Sequence, residues 1–159
     1  MRLLWAVSDF LRGLRRQMRF GELSRSPLRL LSLELRGELA RCEWMARACD
    51  PWDRELAPQI GRRHQTLQAL QDAMRLREML FAMLSEVRRA EFRVYCQRPV
   101  GPPELVIVGT VDREDEIPPR VKSLVMRAKL CGLQFSLRDG ILEPVQVQVN
   151  ESGLEFATN

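Results

Sequence analysis

The chain has little of the chemistry on which most enzymes depend. Its 159 residues include one histidine, His64, and two lysines, Lys122 and Lys129. A hydrolytic triad needs a base beside its nucleophile, and the two arginines that precede His64 make it a poor general base. The sequence therefore argues against an enzyme, and a small enzyme with scattered site residues is the third alternative for its function.

Motifs for metals and nucleotides are also missing. The four cysteines (Cys42, Cys49, Cys96 and Cys131) form no C-x-x-C pair, so a zinc site of that spacing is not expected. The acidic residues 112–116 lack the glycine and the distant glutamate of a calcium loop. The glycines do not form a phosphate-binding pattern. We predict no cofactor, no metal site and four unpaired thiols.

Long hydrophobic runs are absent as well, and none reaches the length of a membrane span. The opening residues, MRLLWAV, are too short a run for a secretory signal. We expect a cytoplasmic protein that can lie peripherally at a membrane. Residues 1–27 are also arginine-rich and poor in acids, which keeps an organellar transit peptide open as an alternative.

The net charge of +4 for the whole chain equals the charge of its first twenty residues. Residues 1–20 contain five arginines and one acid, Asp9. Residues 21–91 balance twelve arginines against eleven acids, and residues 92–159 balance eight bases against nine acids. The segment 1–20 is therefore where an anionic partner would be attracted.

The same segment is amphipathic when it is drawn as a helix. One arc holds its apolar residues: Leu3, Val7, Phe10, Leu11, Leu14 and Met18. The opposite arc holds its bases (Arg2, Arg12, Arg15, Arg16 and Arg19), with Trp5 at the boundary. We predict that residues 1–20 form a basic amphipathic helix, separable from the core, that docks on an anionic membrane surface or an acidic protein. The alternative is that its apolar stripe packs on the helices that follow.

Helical spacing continues beyond this segment. Leucines recur every three or four residues after Ser26-Pro27, which predicts a second helix over 26–48. A longer helix is expected over 62–89, with an apolar arc wide enough for two neighbours. We predict that these two helices form an antiparallel hairpin and that the other neighbour of the 62–89 helix is a sheet.

The pattern changes to that of strands near residue 91. Strands are predicted over 92–96, 105–108, 133–137 and 145–149, with a helix from Pro118 or Pro119 to Cys131. The dipeptide Asp139-Gly140 predicts a hairpin turn. The fold class is therefore α+β, in which N-terminal helices precede a small β-β-α-β-β sheet domain. The predicted domains are a basic helix at 1–20, a helical hairpin at 21–91 and an α+β domain at 92–159.

A second contact surface is predicted on the helix that ends at Cys131. Met126 and Leu130 lie four residues apart, opposite its expected core face, and Arg127 and Lys129 flank them. An apolar pair rimmed by bases indicates either internal packing or a protein partner.

These observations favour a non-enzymatic adaptor or regulatory protein. Its basic helix would dock on an anionic membrane or an acidic partner, and its α+β part would bind another protein. The alternative is a nucleic-acid-associated regulator. It is the weaker interpretation because aromatic residues for base stacking are sparse and residues 92–159 are slightly acidic.

Overall fold

The computed structural model describes residues 2–21, 23–50, 55–150 and 153–156. In chain order its elements are α1 (Arg2–Gln17), β1 (Arg29–Arg36), β2 (Leu39–Met45), α2 (Pro58–Met83), β3 (Arg89–Cys96), β4 (Glu104–Asp112), α3 (Leu124–Leu130), β5 (Leu133–Gln134), β6 (Ser136–Arg138), β7 (Ile141–Glu143), β8 (Val147–Asn150) and β9 (Gly153–Phe156). The fold class is α+β, as predicted.

A five-stranded sheet in the order β1-β2-β3-β4-β5 forms the centre of the fold. All neighbouring strands run antiparallel except β2 and β3, which are parallel. Parallel neighbours need a long crossover connection, and α2 lies in that connection. The sheet takes strands from both sides of residue 91, which itself lies within β3. The proposed domain limits stay a prediction.

The predicted helix over 26–48, and with it the helical hairpin, is wrong: these residues contain the β1–β2 hairpin. Its two-residue turn begins at Gly37, whose φ of +58° suits the first position of a type II′ turn. In β2, Ala40, Cys42 and Trp44 alternate toward the core and are fully buried. The leucines of this segment are spaced as in a helix because a β-bulge between Leu30 and Ser32 interrupts the inward–outward alternation of side chains in β1. The spacing therefore led to the wrong prediction.

Helix α2 is the central element of the core. The predicted helix over 62–89 is confirmed in part, although the helix begins at Pro58 and ends at Met83. Leu70, Leu76 and Leu80 are fully buried in the cluster that includes the inward side chains of the sheet. Helix α2 therefore joins the sheet to the other two helices, which both pack on it.

Helix α1 is part of this core, and its predicted separability is wrong. Phe10 and Leu14 of α1, together with Met18 directly after it, form one stripe and belong to the main buried cluster. Gly13 is buried beside them, and a Cβ there would stand 3.3 Å from the Met83 sulfur. The apolar stripe packs on α2. The apolar stripe therefore packs internally, while docking through the exposed side of this helix stays a prediction.

The remaining elements complete the second half of the chain. Helix α3 begins later than predicted, because the Ser123 hydroxyl caps it by accepting the Met126 N–H at 3.3 Å. The predicted hairpin at Asp139-Gly140 is present between β6 and β7, with φ values of +54° and +78°. Within the described residues, no helix is long and apolar enough to span a membrane.

Candidate functional site

The outer side of α1 and the short segment that follows it carry four exposed arginines, which we call the basic face: Arg12, Arg15, Arg16 and Arg19. Arg12 forms an exposed 2.8 Å ion pair with Asp9, three residues earlier. The Arg19 guanidinium lies over the Phe20 ring at 5.2 Å. Among the described residues, no carboxylate pairs with the other three guanidinium groups of this face. Their charge is therefore available to a partner.

The first two turns of α1 pack on the core with Ala6 and Val7 and expose apolar surface on their other side. Leu4 is 73% exposed and Trp5 is 68% exposed, whereas Phe10 is 0% exposed. Phe10 was predicted to be a contact residue, but its burial removes it from the surface. The backbone of Arg2 lies in α1, and its side chain is outside the described part of the chain.

Arg47 fixes the C-terminal end of α1 from inside the protein. Its buried guanidinium donates to the carbonyl oxygens of Met18 at 2.6 Å, Arg19 at 3.2 Å and Ser26 at 2.8 Å. The same group binds both carboxylate oxygens of Asp72 on α2, at 2.8 and 3.2 Å. A cation at a helix C-terminus satisfies its last carbonyls and opposes its dipole. The basic face is thus held in a defined orientation.

Gln68 extends this network to the segment after α1. Its amide donates to Asp72 at 2.9 Å, and its oxygen accepts the Leu23 N–H at 2.6 Å. Burial raises the pKa of Asp72, while its hydrogen bond and charge interaction with Arg47 and its bond from Gln68 oppose the shift. Gly21 lies directly against the Gln68 amide, so that a Cβ at Gly21 would collide with it.

Sequence reasoning missed this network entirely. Arg47 lies in the segment that was predicted as a helix, and Asp72 is 25 positions away in sequence. No local pattern marks such a pair, because its members meet only when α1, β2 and α2 pack together. A buried arginine with all its donors used is visible only in three dimensions.

The second predicted surface, on α3, is exposed as expected. Met126 is 50% exposed and Leu130 is 49% exposed, while Ala128 between them is buried. The two flanking bases are already engaged: Arg127 donates to the Val121 carbonyl at 3.3 Å, and the Lys129 ammonium lies 5.5 Å from a ring centroid. The two predicted surfaces are on different helices and are not brought together into one site.

The described residues offer little for covalent or metal chemistry. Burial raises the pKa of Cys42 to about 12, and the pKa values of Cys96 and Cys131 also rise because these thiols are buried. Such thiols are poor nucleophiles at neutral pH. No group of three metal-ligating side chains is found among the residues that the structure describes. The arrangement is suited to binding through charge and apolar contact.

Comparison with known proteins finds no relative from which a function could be inferred. No protein-family model matches the chain, and no curated protein or solved structure is significantly similar to it.

Proposed function

We propose that this protein is a non-enzymatic adaptor that docks on an anionic membrane surface through the basic face of α1. The observation that carries the proposal is the position of this face beside two exposed apolar residues, Leu4 and Trp5, on a helix whose other side is anchored in the core. Tryptophan suits the depth of lipid headgroups, and arginine binds phosphate through two parallel hydrogen bonds.

The expected strength of docking follows from the charge. Each base near an anionic leaflet contributes about 1 kcal/mol, so the net +4 of residues 1–20 contributes roughly 4 kcal/mol. The buried stripe of α1 cannot also insert into the bilayer. Docking is therefore dominated by electrostatics, reversible and sensitive to salt.

Co-sedimentation with vesicles tests the proposal. Vesicles that contain phosphatidylserine should bind the protein at 0.1 M salt. This binding should be lost near 1 M salt, because the screening length falls from about 10 Å to about 3 Å. Phosphatidylcholine vesicles should not bind it. The double variant Arg12→Glu, Arg16→Glu should weaken binding by roughly two to three orders of magnitude.

A matched control has the same change in net charge elsewhere. The double variant Arg36→Glu, Arg62→Glu alters two exposed arginines outside α1 and should retain most of the binding. Equal losses in the two variants would show that only total charge matters and would contradict docking through α1. Binding of an acidic protein with no affinity for vesicles would replace the membrane by a protein partner.

We also propose that the α+β part binds another protein through Met126 and Leu130. The support is their half-exposure on one side of a helix whose opposite side carries the buried Ala128. The double variant Met126→Glu, Leu130→Glu should fold normally. It should fail to form a crosslinked product with a partner protein that chemical crosslinking detects for the parent protein. The change Leu67→Glu on an exposed site of α2 is the control. An unchanged crosslinking pattern in the α3 variant would remove this surface from the proposal.

A further inference from the structure

A half-open groove lies between α1 and the start of β1. Its volume is about 710 Å³, within the range of small-molecule pockets. Apolar side chains from both elements line it: Leu11, Leu14, Met18, Leu28 and Leu30. Because β1 is an edge strand, no further strand of the sheet lies on that side.

Three arginines also line this groove, and we call them the rim arginines: Arg15, Arg19 and Arg29. All three are exposed, and none forms an ion pair with a residue that the structure describes. An apolar floor beneath three uncompensated guanidinium groups is complementary to a ligand with an aliphatic chain and an anionic head.

Both walls of the groove are fixed before any ligand arrives. The Arg47 guanidinium bridges them, since it binds the Arg19 carbonyl on one side and the Ser26 carbonyl on the other. On the β1 side, the buried carboxylate of Asp50 accepts the Arg25 and Ser26 N–H groups at 3.1–3.2 Å and the Ser26 hydroxyl at 2.9 Å. A preformed site loses less entropy on binding than a site that must close around its ligand.

We propose that this groove binds a long-chain fatty acid, with the alkyl chain on the apolar floor and the carboxylate among the rim arginines. An extended peptide is a poorer occupant because the bulge between Leu30 and Ser32 interrupts the regular edge that strand addition requires. The groove shares Arg15 and Arg19 with the basic face, but the two proposals are tested separately. Arg29 and Leu28 are outside α1, and the docking test alters arginines that do not line the groove.

Calorimetric titration of the full chain with a series of fatty acids, each below its aggregation concentration, tests the chain-length dependence. Affinity should rise by about fourfold for each added methylene from octanoate onward, until the groove is filled. The matching alcohols should bind more weakly by about tenfold, because each exposed ion pair contributes about two- to fivefold. Equal affinity for dodecanoate and dodecanol would overturn the assignment of the carboxylate.

Two variants locate the ligand. Replacement of all three rim arginines by glutamine should abolish the preference for dodecanoate over dodecanol. Its control makes three equivalent changes on exposed arginines outside the groove and outside the basic face: Arg36→Gln, Arg62→Gln and Arg138→Gln. Leu11→Trp should fill the groove and lower dodecanoate affinity at least tenfold, whereas Leu31→Trp, at an exposed position that does not line the groove, should not.

The outcome separates this site from the membrane surface. Dodecanoate binding that Leu11→Trp abolishes, with vesicle binding retained, supports a groove ligand. Dodecanoate binding that persists in a folded Leu11→Trp variant overturns the proposal, as does a parent protein that binds no fatty acid. The far-ultraviolet circular dichroism of each variant establishes folding. If Leu11→Trp does not fold, the test uses the parent protein instead and measures nuclear Overhauser effects between dodecanoate and the Leu28 methyl groups. The absence of these effects with bound dodecanoate would equally overturn the proposal.

Discussion

Replacement of Arg47 by methionine should destabilise the protein more than any change at its surface. Arg47 and Asp72 are 2% and 3% exposed, so the variant leaves a buried carboxylate without its cation. It also removes the donors to three carbonyl oxygens. Breaking a buried ion pair by removal of one partner costs about 3–5 kcal/mol. Total stabilities of domains are about 5–15 kcal/mol, so the loss is a large share.

Urea denaturation followed by circular dichroism measures this loss, and thermal melting should show a decrease of roughly 6–20 °C. The control is Arg41→Met, which breaks an exposed 2.8 Å pair with Glu91 and should cost about 1 kcal/mol or less. The double variant Arg47→Met, Asp72→Leu should recover at least about 1 kcal/mol relative to Arg47→Met, because it removes the unpaired charge. A single Arg47→Met variant as stable as the Arg41→Met control would refute the role of Arg47 in anchoring α1.

Other predictions concern α1, one turn and one thiol. Phe10→Ala should lower the free energy of unfolding by about 3–5 kcal/mol in urea denaturation. Trp5→Ala, at an exposed site of the same helix, should change it by less than about 0.5 kcal/mol. Equal effects would contradict the packing of α1. Gly132→Ala should cost about 2–4 kcal/mol because φ is +104° and a Cβ would collide with a backbone carbonyl, while Gly101→Ala, with positive φ and open space, should cost only about 1–2 kcal/mol. In the native protein, a maleimide should modify Cys49 first because it is the exposed one of the four cysteines, and faster labelling of a buried thiol, seen by mass spectrometry of peptides, would contradict the burial pattern.

The sequence predicted secondary structure best where a segment follows only one hydrophobic periodicity, that of a helix or that of a strand. Helix α2 and strands β3 and β4 each follow a single pattern over many residues, and all three were predicted in type and approximate place. The Asp139-Gly140 turn was predicted because few dipeptides adopt two consecutive positive φ values.

The β1–β2 hairpin could not be predicted because two periodicities compete there. Leu31 and Leu35 continue a helical spacing, whereas Ala40, Cys42 and Trp44 alternate as a strand does. Pairing of β2 with β3 settles the competition, and this partner lies about fifty residues later in the chain. Tertiary packing thus overrides the local preference.

The exposed side of the candidate site was predicted, because its arginines and Trp5 were placed away from the apolar arc and are exposed. Their role as contact residues stays a prediction. Whether the apolar stripe of α1 faces the core depends on α2, which the local sequence does not reveal. The groove depends on Leu28 and Leu30, which were assigned to a helix. Its three-dimensional arrangement therefore could not be derived from either segment alone.

We propose that α1, while anchored in the core, meets an anionic membrane with its exposed side. The most direct test is the fluorescence of Trp5 with phosphatidylserine vesicles that contain brominated lipids, measured as the difference between the parent and Trp5→Phe. Trp5 is 68% exposed in the free protein, and docking should bring it to the headgroup region. We predict quenching in the parent that is absent from the variant and lost at high salt. Vesicle binding without any quenching of Trp5 would contradict docking through this side of α1.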